Sequence, residues 1–177
     1  MKEMEEILKD VPKLDWFERY KRMLDIAYTS LMTAESQIRM GVEPERAIEA
    51  VKELHKSFGS ACAEKLVKKF DLKPTVEDAL KLFLLYSCEV WGYGETKYVS
   101  AKLESPKRGV YDNLVCRGWE MAKKMGMEEM MKEVNCAEGC IAEYSSILGA
   151  LSPDLKAKMI KALPWGDDAC EWVVEEK

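Results

Sequence analysis

Cysteine is the residue type through which this chain would do chemistry. Cys136 and Cys140, in the stretch "NCAEGCIAEYSSILGALSPDL", stand four residues apart, with Cys116 before them and Cys170 after them. Residues four apart share a helix face, so two thiols there would grip a soft metal ion such as zinc, with Glu143 and Tyr144 near the same face. The same thiols also read as nucleophiles activated by a lowered pKa, or as small hydrophobes filling a core. The chain has no pair of cysteines two residues apart in a tight knuckle, the arrangement that zinc fingers and ribbons use.

Other reactive residues are few. His55 is the only histidine, so no multi-histidine metal site can form, and its place beside Leu54 on a charged helix reads as surface or core edge. In "GDDAC", Asp167 and Asp168 bring carboxylates near Cys170, as a cation site, a base or a solvated turn. Trp91, Trp119, Trp165 and Trp172 fall in one half of the chain and fit either an aromatic-walled pocket or a large core. "WGYGET" lacks the third glycine of a dinucleotide loop and reads as a hairpin turn.

Elements must position these residues, and the hydrophobic periodicity gives them in order. An amphipathic helix is expected from Leu14 to Met40, a second from Pro44 to near Gly59, and a third from Ser60 to Phe70. Thr75 caps a short buried helix, "VEDALKLFLLY". From Cys88 to Arg117 the pattern alternates around turn signals at Gly92 with Gly94 and at Ser105 to Gly109, predicting two or three antiparallel strands, the last closed by Cys116. Helical spacing returns over 118–131 and 136–151, and "SPDLKAKMIKAL" reads as one more helix, with Ser152 as N-cap and Pro153 in first position. "PWGDD" is a turn and "ACEWVVEE" a closing strand. The layout is α+β: N-terminal helices on a small antiparallel sheet, then further helices, as one domain with a helical part over 1–73 and a cysteine-containing part over 74–177.

Composition excludes several classes of function. The 177 residues are 47% apolar and 33% charged with a net charge of −5, and no basic stripe offers a nucleic-acid surface. The longest apolar run, "LFLLY", is far short of the roughly 20 residues a membrane span needs. "MKEMEEILKDV" is charged where a secretory signal would be apolar. The expected setting is therefore cytoplasmic, with six largely reduced cysteines. The apolar stripe of the 14–40 helix exceeds what one small core covers, which would make it the seam of a homo-oligomer.

From about Val110 to Glu175 the chain resembles a family of small prokaryotic domains related to L-2-amino-thiazoline-4-carboxylate hydrolase. The likeness rests on Cys116, "AKKMG" on the next helix, Cys136, Tyr144, "SPDL", and "PWGDDACEW" with Cys170 and Trp172. The terminal element is also similar to the end of the 4-vinyl reductase domain. The resemblance implies that Cys116, Cys136 and Cys170 form the site, which Cys140 would extend to a four-thiol metal set. Two chemistries then compete. Thiolates would hold a metal, zinc first, that activates water or fixes the fold. Alternatively Cys136, at a helix start, would open an amidine-like or thiazoline ring while Asp167, Asp168 or Glu143 moves protons. Tyr144, Trp172 and Trp119 would wall the small-molecule ligand. A non-enzymatic metal- or ligand-binding module is the alternative.

Overall fold

The computed structural model describes residues 41–92 and 98–177, with the backbone alone at residues 44, 130 and 133–137. The expected 14–40 helix, its oligomer seam and Gly94 lie outside the described residues. The order is α1 (Pro44–Phe70), α2 (Val76–Glu89), β1 (Val99–Ser105), β2 (Arg108–Asn113), α3 (Arg117–Met125), α4 (Glu128–Met130), a π-helical segment (Met131–Cys140), α5 (Ile141–Leu151), β3 (Leu155–Lys161), a 3-10 turn (Leu163–Trp165) and β4 (Cys170–Glu176). This is the α+β fold expected from the sequence.

Proline in the first turn opens α1, where its missing N–H is no loss. The helix then runs through Gly59, where a stop was expected, and ends at Asp71 in the left-handed conformation (φ 49°). Gly59 is there for packing. A Cβ at that position would lie 2.8 Å from Ser146 Oγ and 2.9 Å from the Glu143 carbonyl oxygen, so the glycine lets α1 and α5 touch backbone to backbone. Thr75 caps α2 as expected, its Oγ1 accepting from the Asp78 N–H at 3.2 Å. With Leu82, Phe83, Leu85 and Tyr86 all buried, α2 lies inside the molecule. It extends to Glu89, past the point where strands were expected to begin.

All four strands pair antiparallel in the order β1-β2-β4-β3. The hairpin at Ser105 to Arg108 is where the turn residues placed it. "SPDLKAKMIKAL" corrects the sequence reading, because it forms β3 and not a helix. Ser152 Oγ accepts from the Asp154 N–H at 3.1 Å, closing a tight turn where a helical N-cap was expected. Beyond it, exposed Lys156 and Lys158 alternate with buried Leu155 and Met159, a period of two that β4 completes by pairing. On the outer face Lys156, Arg108 and Lys161 form ion pairs with Glu175 and Glu171. The inner face meets α2 and α5. Gly109 of β2 comes so near Leu80 that a Cβ would fall 2.5 Å from Leu80 Cδ1.

The expected 118–131 helix is interrupted. Gly126, at φ 66°, ends α3 and accounts for its short length. None of the described helices is long and apolar enough to cross a membrane.

Candidate functional site

Cys116 does not close a strand. Strand β2 stops at Asn113, and Cys116 is the N-cap of α3, its Sγ accepting from the Trp119 N–H at 3.3 Å. Cys170 is the first residue of β4, buried, with its Sγ accepting from the Leu163 N–H at 3.4 Å. Cys140 ends the π-helical segment, half-buried. These thiols lie close enough to influence one another: Cys116 feels Cys170 and Cys140, and Cys170 feels Cys140. Burial is the main cause that holds both protonated, pushing Cys170 up to about 11 and raising Cys116 further. The candidate site is therefore a group of thiols drawn from an α3 cap, the end of a π turn and a strand start.

Cys136 lies inside the π-helical segment, so it does not begin a helix and receives no N-terminal dipole, which removes the argument that gave it a lowered pKa. Only its backbone is described. Among the described residues no three of His, Cys, Asp and Glu are grouped so as to hold a metal ion.

Around the thiols stands an aromatic core. Tyr144 of α5 stacks on Trp172 of β4, and Phe83 meets Tyr144 edge-on at 4.8 Å. Tyr111 bonds Ser87 and Tyr144 through its hydroxyl. Trp119 packs half-buried at the edge of this core, while Trp165 is exposed. Across the β2–β4 register Asn113 sits opposite Cys170, and its buried Oδ1 has no hydrogen-bond partner among the described residues.

The acidic candidates separate. Asp168 is solvated, its side chain 89% exposed and 3.9 Å from Lys161 Nζ. Asp167 fixes the turn, its Oδ2 accepting from the Ala162 N–H at 2.8 Å. Glu143 is buried, and it accepts hydrogen bonds from Tyr86 OH and from the His55 ring through Nδ1.

His55 is thus a correction to the sequence reading, being buried and bonded where a surface or edge residue was expected. Its ring packs against the backbone of the π-helical segment, where a Cβ on Gly139 would come within 2.9 Å of Nε2. The signal for it was faint: His55, Gly59 and Cys62 share one helix face at steps of four and three, opposite a chain with glycine at 139. Two of the missed residues, Tyr86 and Asn113, carry no motif at all.

No family model and no curated protein matches the chain. Among solved structures it is similar to a trafficking protein particle complex subunit 3 from Naegleria fowleri, covalently bound to palmitic acid, with a TM-score of 0.58 and 11% identity over 89% of this chain and 96% of that one. At that identity the likeness shows a shared fold.

Proposed function

We propose that this chain is a small-molecule-binding module whose ligand rests against Cys116, Cys140 and Cys170, and that the ligand is largely apolar. The carrying observation is that thiols from three separated elements converge beside stacked aromatic rings, with burial raising the pKa of Cys116 and Cys170. A site of that kind offers contact area and polarisable sulfur in place of charge. The structural neighbour adds support, since that protein is covalently bound to palmitic acid. The test is a thermal-shift titration of the full chain with short alkyl compounds bearing alcohol, amide or carboxylate ends. A native-state ligand raises Tm with concentration. A dose-dependent rise in the wild type that disappears when Cys116, Cys140 and Cys170 are replaced by serine is expected, whereas no rise with any of them defeats the reading.

Hydrolysis of a carbon–nitrogen or carbon–sulfur bond is the second reading, with Cys136 as nucleophile. What favours it is buried Glu143, whose carboxylate is bonded to His55 against the turn that carries Cys136. Product release from L-2-amino-thiazoline-4-carboxylate, abolished by Cys136→Ser, is the expected result. Turnover retained in that variant would rule out the nucleophile.

A further inference from the structure

We infer that Asn113 is the polar anchor of this site: its carboxamide oxygen accepts a hydrogen bond from an N–H or O–H group of the apolar ligand proposed above, a reading on which this inference rests. Asn113 is 8% exposed, and its Oδ1 is a buried side-chain acceptor with no hydrogen-bond partner among the described residues. Buried acceptors are almost always paired, because nothing otherwise replaces the water they give up. The residues around it show what the position would hold if only packing mattered: Tyr111 two residues before it is buried with its hydroxyl bonded, and Val99 opposite it in β1 is apolar and buried.

The register fixes where the acceptor lies. Asn113 pairs with Cys170 in β4, and directly opposed residues leave a sheet on the same face. Tyr111 and Trp172, also paired and two residues further along, share that face, since side chains alternate with period two. The carboxamide is thus placed in the row that carries Cys170 and the Trp172 ring, and three residues later the chain reaches Cys116. The Cys170 thiol already accepts from the Leu163 N–H, and the Cys116 thiol from the Trp119 N–H. Asn113 Oδ1 is left as the acceptor for a ligand's donor. The ligand class follows: an apolar body against the rings and thiols, with one alcohol, amide or amine hydrogen for Asn113. A carboxylate end would set acceptor against acceptor among neutral groups, and it is disfavoured.

The experiment compares 1-octanol with methyl octyl ether, alike in apolar body but differing in the donor, by thermal shift on the full wild-type chain and on Asn113→Leu. Octanol is expected to bind the wild type about tenfold more tightly than the ether, one good hydrogen bond's worth, and Asn113→Leu to bind the two equally while keeping the wild-type Tm or exceeding it. Equal shifts by both probes in the wild type would overturn the anchor and leave the site standing; this comparison needs no variant. Discrimination that persists in Asn113→Leu would also overturn it, leaving Asn113 with a bound water only. If neither probe nor any other alkyl compound shifts Tm, the binding site itself fails, and the anchor with it.

Discussion

Tyr144 and Trp172 stack with ring centroids 4.4 Å apart and planes 18° from parallel, tying α5 to an inner strand of the sheet. Trp172 is among the largest fully buried side chains of the described residues, so removing it leaves a cavity the sheet cannot close. Trp172→Ala should cost about 3–5 kcal/mol. Tyr144→Phe keeps the stack and loses the hydroxyl bonded to Tyr111, for about 1 kcal/mol. Urea midpoints with unchanged slope measure both. A loss below about 1 kcal/mol for Trp172→Ala would mean the stack is not part of the core.

Two glycines make a matched test of helix packing. Gly59→Ala puts a Cβ 2.9 Å from the Glu143 carbonyl oxygen, a backbone atom that cannot step aside. Gly149, inside α5, has nothing within 4 Å of a Cβ. Alanine should therefore stabilise at 149 by about 0.5–1 kcal/mol through helix propensity, and destabilise at 59 by about 1–3 kcal/mol through overpacking. Stabilisation at both positions would show that α1 and α5 do not meet closely.

These glycines also mark how far the sequence could be read. Where a local rule and the tertiary structure agree, as at the Thr75 cap, the 105–108 hairpin and the closing strand, residue types alone sufficed. Where one motif serves two structures, local reading failed. Ser152-Pro153 fits a helix start and a tight turn equally well, and pairing of the following segment with the distant strand β4 decides between them. Gly59 fits a helix stop and a close contact equally, and α5 decides. The nearness of Cys116, Cys140 and Cys170 was legible as a candidate because cysteine is rare and reactive. Asn113 was not, because an unpaired acceptor is a property of surroundings and not of sequence.

Stability should fall on the alkaline side. Burial pushes the thiols of Cys88 and Cys170 from an ordinary 9.0 up to about 11. A group whose folded pKa is raised is fully stabilising below its unfolded value and loses that contribution as pH climbs through the folded one. The window therefore runs from about pH 9 to 11, where each thiol withdraws about 1.4 kcal/mol per pH unit. Urea denaturation at stepped pH reads this directly. A curve for the Cys88→Ser, Cys170→Ser double variant that falls as steeply as the wild type would assign the loss to other groups.

Glu143 serves two partners, and each should be worth measuring against the other. His55 and Tyr86 both donate to its carboxylate within the buried interface of α1, α2 and α5. Removing Glu143 strands two buried donors, so Glu143→Leu should cost more than His55→Leu. The His55→Leu, Glu143→Leu cycle should show a coupling of about 1–3 kcal/mol. Additive losses would mean that the two side chains are stabilised independently.

Cys116 carries a structural task and a proposed binding task, and substitution can separate them. Its sulfur caps α3 by accepting from the Trp119 N–H at 3.3 Å. A hydroxyl does the same more strongly, so Cys116→Ser should hold or slightly raise stability, while Cys116→Ala leaves the N–H without its cap and should lose about 1 kcal/mol. If the thiol also contacts the ligand through its polarisable sulfur, Cys116→Ser should weaken alkyl-ligand binding at undiminished Tm, and Cys116→Ala should lose both. Melting curves with and without ligand distinguish the cases. Full ligand affinity in Cys116→Ser would confine Cys116 to capping and move the ligand toward Cys140 and Cys170.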